Sequence, residues 1–244
     1  MKKIMIMAVA AMMATVNVTA QHKKEAVQVY IPIEQMPRLV EIMPAPPAFD
    51  SPEFAYDVVR YCWGKQQRLD SARVAMAIAD AEWNNHEKAY ARWAEAFGLA
   101  INERETPEIW KLVETSLATT DPMRKEPKAH YQRLRPFERY DETMPSHEEN
   151  VLRGEGSFPS GHSLRGWTLT LLLAQIAPER AAEIYRRGHE FCESRVIVGA
   201  HWQSDVDAGR TFACVGFTML QNNEAFLKQL KKAKEEYRRL VKSE

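Results

Sequence analysis

Charge of either sign is not in excess in this 244-residue chain: 33 lysines and arginines stand against 33 aspartates and glutamates. So even a balance gives no footing for a nucleic-acid polymer or a charged membrane surface as partner. Long apolar runs are scarce as well. The stretch at residues 4–13 is about half the roughly 20 residues a bilayer-spanning helix needs, and nothing after it comes closer. No membrane span is expected. Cysteine is rare, at three: Cys62, Cys192 and Cys214. No two of them have metal-ligand spacing. In an oxidising compartment one pair could be bridged, but the preferred reading is three unpaired small hydrophobes. Strand signals and internal repeats are nearly or wholly missing. So are the HExxH pattern and any short-spaced histidine pair, so neither a metal site nor a cofactor is expected.

What is present begins with an export signal. Lys2 and Lys3 precede the apolar run, and the segment closes on small residues, with Val18 and Ala20 at the −3 and −1 positions of a cleavage site. Residues 1–20 are read as a signal peptide cut after Ala20 rather than as an uncleaved anchor, and the mature protein as exported. No cysteine lies near the cut, which argues against a lipoprotein. What remains is long enough for one large domain.

Residues 21–50 carry prolines at 32, 37, 44, 46 and 47, so they read as an extended arm. From residue 51 onward the pattern is helix after helix. A helix capped by Asp50 or Ser51 runs to about Arg68. A second reading spans residues 71–97 on Val74, Ile78, Ala81 and Trp83. Thr106 opens a third with Pro107 at its first position. Residues 137–158 form a polar loop with Pro145, Gly154 and Gly156. Ser160 then begins an apolar helix through Ile176, Pro178 opens one to about Arg195, and Trp202 begins one carrying Val206, Phe217 and Leu220. An amphipathic segment follows Asn223. The expectation is a single all-α domain over 51–244.

Three segments could carry chemistry: Lys128 with Arg135-Pro136, then Pro159-Ser160-Gly161-His162, then Arg195 with His201 and Asp205. Each alone is weak. Lysine and arginine in a charged chain are usually solvated, and His201 with Asp205 at i and i+4 could share a helix face as a plain hydrogen bond or half a metal site. Together they say more. Ser160 and Gly161 stand where a loop becomes a helix, which leaves amides and the positive end of the helix dipole free for an oxyanion. Lys128, Arg135 and Arg195 can surround that anion. Asp205 can orient His201 through Nδ1 and leave Nε2 as a nucleophile toward phosphorus. His162 can protonate the leaving alkoxide.

These segments resemble the signature of the type 2 phosphatidic acid phosphatase superfamily, and their wording is similar to one branch, the bacterial class A non-specific acid phosphatases. The matching stretches are Lys128 with Arg135-Pro136-Phe137, residues 156–162 and residues 193–210. Pro44 to Ala48 with Phe54, Asp57, Tyr61 and Gly64 looks like that branch's N-terminal entry, and residues 223–237 like its last helix. The resemblance implies an all-helical bundle of the acid phosphatase and vanadium haloperoxidase type, located in the periplasm. It implies metal-independent hydrolysis of a broad range of small phosphomonoesters and a homo-oligomer, with a dimer favoured; vanadate, which can take the trigonal-bipyramidal shape of phosphoryl transfer, is expected to inhibit. The resemblance also implies that Lys128, Arg135, Ser160, Gly161 and Arg195 hold phosphate while His201, Asp205 and His162 catalyse. Phe158 stands where many relatives have tyrosine, and Val198 where many have cysteine.

Rival readings fit less well. A vanadium haloperoxidase is generally longer, and a lipid phosphatase of the superfamily needs membrane spans. A metal-dependent hydrolase lacks its ligand pattern. A mere anion-binding protein has no use for two histidines.

Overall fold

The computed structural model describes residues 28–242, and every regular element among them is helical. The expected signal segment and its cleavage point after Ala20 lie outside the described residues. No helix among the described residues is long and apolar enough to cross a membrane.

After a short 3₁₀ turn at Ile33–Gln35 the arm forms one helical turn, α1 (Leu39–Ile42), and buries Ile31, Met36 and Leu39 in the main core. Next comes α2 (Phe54–Gln67), which begins three residues after the expected start because residues 51–53 turn before they coil. The long helix read at residues 71–97 is three pieces: α3 (Ser71–Ala81), α4 (His86–Ala91) and α5 (Ala94–Phe97). The break is physical. Glu82 turns extended, Trp83 leaves the helical row to pack edge-on against Tyr90 and Phe191, and Asn85 restarts the helix by accepting from the Lys88 amide at 2.9 Å.

Helix α6 (Pro107–Thr120) has the expected proline at its first position, but Thr106 does not cap it through its side chain. The Ile109 amide is instead satisfied by Glu236 of the last helix at 2.9 Å. A 3₁₀ turn at Asp121–Arg124 leads into α7 (Lys125–Tyr131), and the polar loop contains two short helices, α8 (Pro136–Tyr140) and α9 (Glu149–Leu152).

The centre of the molecule is α10 (Gly161–Ile176), packed on α11 (Ala181–Ile197) on one side and α12 (Gln203–Leu220) on the other. Leu164, Leu169, Leu172, Leu173 and Ile176 are buried along it, each contributing about 1.5–3 kcal/mol by leaving water. Gly209 lets α12 approach the start of α10. A Cβ there would lie 2.6 Å from the Ser160 carbonyl oxygen. Helix α13 (Glu224–Val241), capped by Asn223, lays Phe226, Leu230, Ala233 and Tyr237 against the core along α6.

The three cysteines are unpaired. Only Cys192 is buried, and burial pushes its thiol up to about 12. Cys62 and Cys214 are exposed, so the reading of all three as buried hydrophobes holds for one.

Candidate active site

A cleft of about 320 Å³ opens between the end of α3, α7, the 146–155 loop and the start of α10, and it collects Lys128, Arg135, Gly161, His162 and His201 along its wall. Roomier clefts of about 440–670 Å³ lie elsewhere. Chemistry, not size, distinguishes this one.

Lys128 sits in the last turn of α7 and is buried, with Nζ donating to the Gly156 carbonyl. Burial, then the Arg135 charge, holds its ammonium well below the ordinary lysine range. Arg135 caps α8 and is only 2% exposed. Its Nε donates to the Glu155 carbonyl at 3.0 Å and Nη1 to the Ala200 carbonyl at 2.9 Å. Burial and the neighbouring Arg195 bring its guanidinium down to about 10. Arg195 projects from α11 with no solvent exposure. Its Nη1 and Nη2 donate to the two oxygens of Glu148 at 3.0 and 3.3 Å, and its Nε meets no partner. The fork is thus already gripping a pair of anionic oxygens.

Ser160 is the N-cap of α10, its Oγ accepting from the Ser163 amide at 3.2 Å and its own amide donating to the Asp205 carbonyl at 2.9 Å. The amides of Gly161 and His162, in the first turn, precede any intrahelical partner, and the positive end of a 16-residue helix points with them.

His201 was expected on one helix face with Asp205, and the structure corrects this. Gly199, at φ +82°, turns the chain out of α11. His201 follows in irregular backbone, and α12 starts only at Gln203 with Asp205 in its first turn. The two side chains still meet, but His201 Nδ1 lies 3.6 Å from Asp205 Oδ2, outside hydrogen-bond reach. The reason is competition. Asp205 is fully buried and accepts from the Trp202 amide at 2.8 Å, from Ser157 Oγ, and from Arg133 Nη1 at 2.6 Å. Ser157 Oγ also stands 3.4 Å from His201 Nδ1, between the imidazole and the carboxylate.

The tautomer of His201 follows from its other nitrogen. Arg135 Nη1 lies 3.0 Å from Nε2, and a guanidinium can only donate, so Nε2 is the unprotonated acceptor and Nδ1 carries the hydrogen. His162 has the opposite arrangement. Its Nε2 lies 2.9 Å from the Ala81 carbonyl, which can only accept, so Nε2 carries the hydrogen and Nδ1 is left facing Arg165 Nη2 at 3.5 Å. The ring is packed between Trp83 and Phe191. Both imidazoles are held well below the ordinary histidine range. Burial comes first for each, then Arg195 and Arg165 at His162, and Arg135, Lys128 and Arg195 at His201.

Of the eight residues expected from the sequence, Lys128, Arg135, Gly161, His162 and His201 line the cleft, while Ser160, Arg195 and Asp205 lie behind its wall, Arg195 reaching it through Glu148 and Asp205 standing 3.6 Å from His201. Reading the sequence missed Ser157, Arg133, Asp57, Glu148, Arg165 and the Ala81 carbonyl. Ser157 and Asp57 lie within the matched stretches and Arg133 stands two residues before Arg135 in the same basic segment, but the sequence reading assigns no role to any of them. Among the described residues no group of three or more histidine, cysteine or acidic side chains is gathered as metal donors.

The chain is similar to known proteins over most of its length. The family model of the PAP2 superfamily matches residues 113–225. The chain is 42% identical over 201 residues to the non-specific acid phosphatase of Salmonella typhi, covering 80% of this chain and 78% of that protein. It is 39% identical over 203 residues to the non-specific acid phosphatase of Providencia stuartii, covering 82% and 81%. It is 32% identical over 192 residues to the acid phosphatase of Zymomonas mobilis, covering 78% and 72%.

Proposed function

This chain belongs to the PAP2 superfamily and is an acid phosphatase of it, and we propose that it is an exported enzyme that hydrolyses a broad range of phosphate monoesters through a phosphohistidine on His201. The observation that carries this reading is the Arg135 Nη1 contact to His201 Nε2. It marks Nε2 as the unprotonated nitrogen, in a cleft lined by cationic side chains beside a helix N-terminus, and its lone pair is released for attack when Arg135 turns its donors to the phosphoryl oxygens.

Lys128, Arg135 and the amides of the α10 first turn, joined by Arg195 once phosphate displaces Glu148 from its fork, hold the non-bridging phosphoryl oxygens and take up the charge that grows on them. Nε2 of His201 attacks phosphorus as the bond to the ester oxygen breaks. The departing oxygen takes a proton from His162 and leaves as the alcohol. Because Nε2 of His162 is tied to the Ala81 carbonyl, Nδ1 is the position that delivers this proton. Burial first, and then the Arg195 and Arg165 charges, hold His162 below its ordinary range, and a dianionic substrate offsets those charges, so substrate and proton enter together. In the second half, neutral His162 removes a proton from water, the water oxygen attacks phosphorus, and the P–N bond breaks to release phosphate and free His201. An alcohol in place of that water would yield a new phosphate ester, the phosphotransferase side reaction. Charge neutralisation comes from the protein itself, so no metal or cofactor is required. The resemblance supports a periplasmic homodimer, which size-exclusion chromatography with light scattering measures.

The test is turnover of p-nitrophenyl phosphate after exhaustive EDTA treatment, with vanadate and phosphate compared as inhibitors. Activity is expected to survive, and vanadate, which can take the trigonal-bipyramidal shape of the transition state, to inhibit far more strongly than phosphate. Loss of activity restored by Zn²⁺ or Mg²⁺ overturns the metal-free mechanism.

A further inference from the structure

Behind His201, away from the cleft, three buried side chains form a line: Asp205, Arg133 and Asp57, exposed by 0%, 6% and 1%. Arg133 Nη1 donates to Asp205 Oδ1 at 2.6 Å and to Ser204 Oγ at 2.8 Å, and Nη2 donates to Asp57 Oδ2 at 2.8 Å and to the Pro47 carbonyl at 3.3 Å. Asp57, from the first turn of α2, also accepts from the Ser204 amide at 2.7 Å and hydroxyl at 2.6 Å. The guanidinium lies over the rings of Phe49, Phe54 and Trp202, which keep water from it.

We propose that Asp57 and Arg133 are positioning residues for the reaction, fixing the Asp205 carboxylate and leaving the buried line with one uncompensated negative charge facing His201. This rests on the reading of His201 as nucleophile. The reason lies in charge counting. When Nε2 bonds to phosphorus and Nδ1 keeps its proton, the imidazole becomes a cation. Most of the charged groups nearest it oppose that: Lys128 from α7, Arg135 at the start of α8 and Arg195 from α11. Around the same cleft stand His162 and Arg165 on α10, Arg124, Glu82, and the loop acids Glu148 and Glu155. Arg133 alone would cancel Asp205, giving a neutral pair with little to offer an imidazolium. A second buried carboxylate on the far side of the guanidinium restores the net charge to minus one while both terminal nitrogens of Arg133 stay hydrogen-bonded. A simple clamp joining α2 to the 132–135 loop would not need that charge.

The experiment compares two variants by the pH dependence of kcat/KM. Asp57→Asn leaves the line neutral, so His201 is harder to protonate. The acid limb is expected to move to lower pH by on the order of one unit, and the phosphorylation rate to fall about tenfold. The double variant Asp57→Asn with Arg133→Met removes both charges and returns the net to minus one. Its acid limb is expected to return to near the wild-type position and its rate to rise above that of the single variant. Removing an unpaired buried guanidinium also recovers rate, so the shift and return of the limb are the readout a clamp does not move. An unmoved limb in Asp57→Asn, or a double variant no faster than the single one, overturns the proposal. Should the single variant not fold, the double one decides alone: an acid limb within about 0.3 pH units of wild type supports the charge count, and one shifted by a unit overturns it. Wild-type enzyme quenched in alkaline denaturant, which preserves phosphohistidine, distinguishes the parent reading. No label on His201 sinks the nucleophile assignment, whereas label on His201 with unmoved limbs sinks only this inference.

Discussion

Replacing His162 with alanine separates its role from that of every other residue in the cleft, and the structure sets the size of the effect. The imidazole touches neither Lys128 nor Arg135. Its nitrogens face the Ala81 carbonyl and Arg165, and its ring is held by Trp83 and Phe191. Removing it leaves the phosphoryl grip whole, so KM and the inhibition constant of inorganic phosphate are expected to stay within a few-fold. What disappears is the proton for the departing oxygen. General-acid loss costs about 10²–10⁴-fold, or about 2.7–5.4 kcal/mol of barrier. The full cost falls on alkyl phosphates, whose alkoxides leave poorly. A p-nitrophenyl ester needs little help, and its loss should be tenfold or less. The assay is kcat/KM across a series of alkyl and aryl phosphates, and the plot against leaving-group pKa should steepen sharply in the variant. Because the ring packs in a partly apolar wall, a melting curve must accompany the kinetics. A loss of equal size for alkyl and aryl esters, with the fold intact, would refute the assignment.

Two further outcomes follow from the same geometry. Asp205→Asn should keep phosphate binding while lowering kcat about 10³–10⁴-fold, since the amide cannot replace the charge beside Nδ1 and disturbs the contacts from Arg133 and Ser157; a loss under tenfold in stopped-flow phosphorylation would contradict that role. His162 and His201 are both held below their ordinary range, so the folded state favours their neutral forms. The stability they contribute is complete above about pH 6.5 and is lost as pH falls toward their folded values. Without phosphate the melting temperature should therefore drop on acidification below about pH 6, and added phosphate should recover more of it at pH 5 than at pH 8; equal stabilisation at both would count against it.

The helices were legible wherever local chemistry set them. Pro107, Ser160 and Asn223 mark starts that the structure places within a residue, and the apolar row from Leu164 to Ile176 is the central helix. Residues 71–97 were misjudged because alanine-rich composition outweighed Asn84 and Asn85, which favour a break, and because Trp83 is drawn aside by Tyr90 and Phe191. The phosphate grip was legible as well, since its members cluster in three short segments. Its supports were not. Asp57 stands 76 positions from Arg133, and nothing local in either segment joins them. The partner of His162 is a backbone carbonyl, which no residue type announces. His201 and Asp205 meet at i and i+4 without sharing a helix, because spacing alone cannot tell a helical turn from a loop that runs into one.

The central claim is that His201 becomes phosphorylated. Quench of the enzyme in alkaline denaturant within milliseconds of mixing with ³²P-labelled p-nitrophenyl phosphate, followed by peptide mapping under alkaline conditions that preserve phosphohistidine, locates any covalent phosphate. The account predicts label on His201 in the wild-type protein, more label in His162→Ala if water attack slows beyond phosphorylation, and none in His201→Ala. Label on His162, or label that persists in His201→Ala, would contradict it.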